Sequence, residues 1–421
     1  MIKKIIAGLC LLLSTVAFSQ ENNASPYSFY GVGDVKFKGT VENRSMGGLG
    51  ILPDSIHVNL QNPATYSALK FTTFAVGGTT SSTSLKTNDA SDTAGRTTLD
   101  YVAVALPFKK IGVAFGLMPY TAVGYRVSDS VVSNTDGLTR MRQFRGSGGL
   151  NRVFFGAAYK ITQQLSIGAE FQYNFGDIET RSVVGIPGVQ YATREINTSN
   201  YKGAGFNVGA TYQALLNKKY TWTVSAVYTP EISLTSDTSR SISTVSTSGS
   251  GTEIVLDQVN SVISSNDSKL PSKFTVGTGF GRVRSWFAGV EYTVQESNKM
   301  NNRFDNFTTT QFKSSSKISL GGYYIPKYMS YTSYLSRITY RAGLKYEKTG
   351  LVIAGEDIND MGVSLGAGLP LSGTIGGSNL NIGLEYGKRG TKNAGLVQEN
   401  YFSVFIGLSL NDKWFVKRKY E

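Results

Sequence analysis

The chain has 421 residues, including 47 glycines, 24 tyrosines and 22 phenylalanines, with only 17 % charged residues, a composition that suits an outer-membrane barrel better than a soluble enzyme. Nothing after the N-terminal segment is apolar over the length of a transmembrane helix, so any crossing of a membrane has to be made by strands. The formal charge is +13, and the single cysteine, Cys10, lies in the N-terminal segment, which excludes disulfides, thiol catalysis and thiolate metal sites from the processed protein.

Lys3 and Lys4 precede the apolar run 5–16, and Ala17-Phe18-Ser19 supplies the small residues that a signal peptidase reads. Residues 1–19 are therefore expected to be a secretory signal peptide cut before Gln20. Leu9 is too large for a lipoprotein cut before Cys10. Without Lys3 and Lys4, 40 basic residues face 29 acidic ones, a charge of +11. It reads as solvated residues at loops and strand ends, with attraction to anionic lipid or an acidic partner as the alternative. Nucleic acid is not expected as a partner of an exported barrel. Residues 25–34, SPYSFYGVGD, are aromatic and Gly-rich with neither helical nor strand period, and read as part of a plug rather than a disordered tail.

Residues 43–69 organise the rest. Gly47, Gly48 and Gly50 let the backbone fold closely against a wall. Asn62-Pro63-Ala64 marks a tight turn, because proline fixes φ and donates no ladder hydrogen bond. Arg44-Ser45-Met46-Gly47-Gly48, then Asp54, then Asn62-Pro63-Ala64 at the mouth of the first strand resembles the FadL-type family of outer-membrane transporters for hydrophobic compounds. The match covers residues 25–69. The resemblance implies an N-terminal hatch (20–68) inside a fourteen-stranded barrel (69–415), with Gly47, Gly48, Asn62, Pro63 and Ala64 as hatch or gate residues.

From Leu69 onward about fourteen strand-like segments follow, giving an all-β fold, a transmembrane antiparallel barrel. In 379–388, Leu380, Ile382, Leu384 and Tyr386 oppose Asn379, Asn381, Gly383, Glu385 and Gly387. This is strict period two, one face for lipid and one for a polar lumen. The same split recurs in 165–176, 286–295 and 338–347. Short connections (107–110, 162–164, 215–219, 283–285) alternate with long ones (86–97, 128–146, 185–200, 236–270, 298–313). That is the outer-membrane pattern, with an even strand count and both termini in the periplasm of a Gram-negative bacterium.

Three irregularities interrupt it. Pro119 falls within the third strand, where a continuous ladder wants a donor, so a kink or break is expected; the resemblance implies a lateral wall opening there. In the loop 236–270, Ile254, Val255, Val259, Val262 and Ile263 recur at roughly helical spacing, which predicts a short amphipathic helix over the barrel mouth. The turn 326–337 should be short and polar, yet it holds Tyr328, Met329, Tyr331, Tyr334 and Leu335. An aromatic belt accounts for part of it, and the remainder reads as a contact surface for an outer-membrane or periplasmic protein.

No catalytic site is expected. His57, the only histidine, has Asp54 three residues away but no nucleophile beside it. No cluster has metal-ligand spacing, no phosphate loop is present, and no cofactor is expected. If the alternation holds, Glu170, Glu291, Arg341, Lys345, Glu347 and Glu385 point into the lumen, as a paired network or, at Arg341 and Lys345, as a site for a carboxylate ligand. The final strand, 401–410, turns Phe402, Val404, Ile406, Leu408 and Leu410 outward, and the basic tail 416–421 follows. Two functions fit: passive uptake of small hydrophobic molecules such as long-chain fatty acids through a hatch-gated lumen, or a non-transporting, plugged subunit of an outer-membrane assembly or secretion complex.

Overall fold

The computed structural model describes residues 23–133, 136–247, 252–263, 268–299, 310–371 and 377–414. The expected signal peptide and basic tail lie outside the described residues. Period-two alternation becomes a closed antiparallel barrel of fourteen strands. They are β1 (Thr72–Lys86), β2 (Ser91–Phe108), β3 (Ile111–Pro119 and Thr121–Val132), β4 (Thr139–Gly148 and Asn151–Lys160) and β5 (Leu165–Gly185). Then come β6 (Tyr191–Leu216), β7 (Tyr220–Thr229 and Ile232–Thr247), β8 (Glu253–Ile263, Ser268–Leu270 and Lys273–Arg282) and β9 (Trp286–Gln295). The wall ends with β10 (Thr310–Phe312 and Ser315–Tyr324), β11 (Thr339–Ile353), β12 (Glu356–Pro370), β13 (Asn379–Arg389) and β14 (Gln398–Asp412). β14 returns to β1 in a ladder from Thr72↔Asp412 to Lys86↔Gln398, which closes the wall.

The faces sort as the alternation predicts. On β13 the side chains of Asn379, Asn381 and Glu385 are buried, while Leu384 and Tyr386 are exposed on the outer face. At one end the strands join through tight hairpin loops of two or three residues, in which Lys109, Lys218 and Arg284 take up the left-handed backbone. At the other end the strands run on. β5 and β6 are 21 and 26 residues long, against about 10 needed to cross a bilayer, so their outer halves project beyond it. Much of what composition reads as long loops is therefore paired strand.

The predicted loop helix is one such case. Glu253–Ile263 is a strand, paired with Thr238–Thr247 of β7. A register shift at Val245 moves the pattern by one residue, and this imitates helical spacing in a run whose Ile and Val residues favour a strand.

Inside the wall lies an inner segment, residues 23–69, built from 3₁₀ turns at Pro26–Phe29 and Pro63–Ala68, a two-residue strand Asp34–Val35 and a helical turn Val41–Arg44. Proline opens the second 3₁₀ turn, and the Asn62 side chain caps it by accepting from Ala64 N at 3.0 Å. Leu49, Ile51 and Tyr66 of this segment are fully buried. Tyr66, Val58 and Leu60 pack with Tyr101, Met118 and Phe154 of the wall into an apolar core within the lumen.

Candidate functional site

The inner segment and the lumen-facing wall form the candidate site. Where they meet, the wall is glycine. A Cβ on Gly343 would lie 2.1 Å from Gly47 N, one on Gly112 2.0 Å from the carbonyl oxygen of Tyr66, and one on Gly168 2.5 Å from the carbonyl carbon of Pro63. Backbone therefore rests on backbone, an approach that any side chain would forbid.

The lumen charges are engaged by the same segment. Tyr66 OH donates to Glu170 at 2.6 Å, and Gly50 N donates to Glu291 at 2.8 Å. Arg44 reaches Glu385 at 2.8 Å, Asp100 at 3.4 Å and Thr79 at 2.7 Å, with its guanidinium 4.3 Å above the Phe405 ring. Lys345 pairs with Glu385 at 2.5 Å and Asp360 at 3.5 Å. Arg341 donates to Asn381, which in turn donates to Glu42 of the inner segment at 2.7 Å. Gly47 N donates to Ser364 Oγ at 3.0 Å, and Asn62 donates to Thr211 at 3.0 Å. His57 is held at 2.8 Å by Asp54 and faces Glu42 at 3.7 Å, an arrangement that braces a loop.

Five of the six lumen charges singled out from the sequence thus sit in networks that reach the inner segment. Glu347 lines the residual cavity described below. Glu42, Arg44, Asp100, Asp360 and Arg389 were not singled out. Their signal was present, since Asp100, Asp360 and Arg389 are charges on strands and Arg44 lies in the glycine-rich motif, but no spacing rule links residues 341 positions apart.

Burial alone would raise the carboxyl of Asp34, but the Arg389 guanidinium at 2.9 Å, with Lys36 and the Asn23 amide, holds it well below the usual range. A lowered folded value gives stability that is present above the ordinary carboxylate value of about 4 and is lost as pH falls through the folded one. Asp34→Asn is expected to flatten the acid limb of thermal stability below about pH 4. Superimposable acid limbs for variant and parent would refute this.

The wall breaks at Pro119. β2 and β3 pair only from Val102↔Leu117 to Phe108↔Ile111, and the outer segment of β3 has no ladder to β2 among the described residues. Asp34 and Val35 occupy that edge instead, paired with Ala122 and Thr121, and Lys36 N donates to Tyr120 O at 2.8 Å. Asn23 bridges the gap, donating to Ala122 O and accepting from Arg96 of β2 at 2.9 Å. The gap is therefore filled by Asn23, Asp34, Val35 and Lys36 of the inner segment.

One lumen space left beside the inner segment is a cavity of about 250 Å³, where Lys38, Lys273, Lys317, Glu291 and Glu347 mix with Tyr30 and Phe37. The aromatic turn lies elsewhere, at the short-turn end, tied to the 283–285 turn by Ile325 N to Ser285 O at 2.6 Å. Tyr328 and Tyr334 are stacked by Arg284 and Arg337, and Tyr334 OH donates to Pro370 O. Met329 and Leu335 are about two-thirds exposed and Tyr331 is 96 % exposed.

A family model described as BamG matches residues 1–421. No curated protein sequence matches the chain. Among solved structures, the P. putida toluene transporter TodX superposes with a TM-score of 0.63 at 14 % identity, covering 90 % of this chain and 99 % of its own. The Ralstonia pickettii toluene transporter TbuX gives 0.59 at 15 %, covering 89 % and 99 %. A Pseudomonas aeruginosa FadL homologue gives 0.57 at 12 %, covering 90 % and 98 %. The resemblance read from residues 25–69 holds at the level of fold, whereas the family model that spans the chain carries a different name.

Proposed function

The chain belongs to the BamG family, and we propose that it is a permanently plugged, non-transporting barrel, a structural subunit of an assembly or secretion complex in the outer membrane of a Gram-negative bacterium. The observation that carries this reading is the seat of the inner segment, backbone against wall glycines with buried ion pairs closing over it. Opening a path would break pairs such as Arg44–Glu385, and losing one partner of a buried pair costs about 3–5 kcal/mol. The residual cavity mixes Tyr30, Phe37, Phe312 and Leu351 with Lys38, Lys273, Lys317, Glu291 and Glu347, and an apolar cargo there would strip water from those lysines and carboxylates without replacing it. The exposed Met329, Tyr331 and Leu335, on the end that faces the periplasm in this reading, suit a protein contact.

The test is extraction from native membranes in mild detergent, with mass spectrometry of proteins and lipids together. Protein partners in fixed stoichiometry, lost on Met329→Ser/Tyr331→Ser while the barrel stays folded, are expected. A lone barrel carrying an apolar molecule would overturn the reading.

The break between β2 and β3 favours a second reading, passive uptake of hydrophobic molecules such as long-chain fatty acids, with a wall opening at Pro119 as the exit and Arg341 or Lys345 meeting a carboxylate. Loss of growth on fatty acids after gene deletion would support it.

A further inference from the structure

We propose that the outer face of β9–β13 holds one anionic glycerophospholipid of the surrounding leaflet, its acyl chains in a groove of the wall and its phosphate on Arg284 and Arg337. The groove measures about 980 Å³ and is lined almost wholly by apolar side chains. Its origin is register: Ala288, Gly322 and Ala342 lie side by side on three neighbouring strands, across about 10 Å. Two residues above this row stand Val290, Leu320 and Leu344, and two below stand Trp286, Tyr324 and Tyr340. The floor cannot fill in, because a Cβ on Gly322 would lie 2.0 Å from the carbonyl oxygen of Phe287.

Directly beneath the groove is the aromatic turn, and its polar chemistry has one sign. Residues 325–338 contain Lys327 and Arg337 and no acidic residue, and Arg282 and Arg284 stand in and beside the adjoining turn. An apolar trough beside turns whose charges are all basic has the polarity of a phospholipid in its leaflet, and arginine matches the geometry of a phosphate. A free phosphate would use the rim without the trough, and a neutral hydrocarbon the trough without the rim. The inference does not depend on whether the lumen conducts.

Native mass spectrometry of the full-length protein, with dioleoylphosphatidylglycerol or dioleoylphosphatidylcholine added in parallel, tests it. One phosphatidylglycerol per chain is expected, retained at least about tenfold better than phosphatidylcholine. Arg284→Gln/Arg337→Gln should abolish that preference. Ala288→Leu/Ala342→Leu, which fills the trough with side chains at home in lipid, should release both lipids. Heat-dependent electrophoretic mobility reports that each variant is still a folded barrel. Equal retention of the two lipids by the parent, or retention unchanged in either folded variant, would overturn the proposal. So would a photo-crosslinker at position 342 that reacts in native membranes with a protein instead of with lipid.

Discussion

Gly343→Val is expected to unseat the inner segment while leaving a barrel in the membrane. The new Cβ would meet Gly47 N and the Met46 carbonyl carbon at 2.1 Å, and backbone atoms cannot rotate out of the way. Gly343 is itself held on both sides, by Gly321 of β10 and Ser364 of β12, so the wall cannot retreat without breaking ladder bonds. Overpacking ordinarily costs about 1–3 kcal/mol; here lifting the segment also forfeits Gly47–Ser364 and Gly50–Glu291, so a loss at or above the top of that range is expected. Trypsin should then cut at Lys38 and Arg44, which are shielded in the parent. Gly95→Val is the control, since nothing lies within 4 Å of a Cβ there. Equal protease resistance in Gly343→Val and parent would show that the wall does not clamp the segment.

The second large effect is electrostatic. Arg44→Met keeps much of the apolar stem but removes the cation shared by Glu385 and Asp100. Glu385 retains Lys345 at 2.5 Å, so the group that loses most is Asp100, left with the hydroxyls of Thr79 and Thr98 and the more distant charge of Arg96. A loss of about 3–5 kcal/mol is expected from breaking a buried pair. Adding Asp100→Asn should recover at least about 1 kcal/mol, the coupling that a double-mutant cycle isolates for residues in one network. Thermal midpoints from heat-dependent mobility provide the measurement, and additive losses would place Asp100 outside the network. The same variant bears on function. If the segment is a permanent plug, planar bilayers with the parent stay silent and steps appear only when Arg44 is lost. If it is a working gate, the parent itself conducts.

Both predictions turn on contacts that sequence reading reached only in part. The lumen-facing positions of Glu170, Glu291, Arg341, Lys345 and Glu385 followed from alternation alone, but their partners did not. Glu170 meets Tyr66 across 104 positions and Glu385 meets Arg44 across 341, and no local rule carries over such distances. The run 253–263 failed for a different reason. Its spacing satisfied a helix on paper, and the bulge that explains the spacing exists only once β7 lies alongside. Pro119 was legible as a break because a missing donor is a property of the residue. That Asp34 and Val35 take up the vacated edge was not, since any polar strand-like pair could have done so.

The sequence by itself determined a barrel with an apolar outside, a mixed inside and a glycine-rich segment ending in Asn62-Pro63-Ala64. Each of these follows from short-range constraints: the two-residue pleat, the missing proline donor and the small volume of glycine. Only the tertiary structure decided what fills the lumen. Closing β14 onto β1 brings Glu170, Glu291, Arg341, Lys345 and Glu385 into networks with residues 23–69, and charges buried inside the wall are stable only when paired. The inner segment and its partners are therefore brought together by closure of the barrel, a global event that no window of sequence contains.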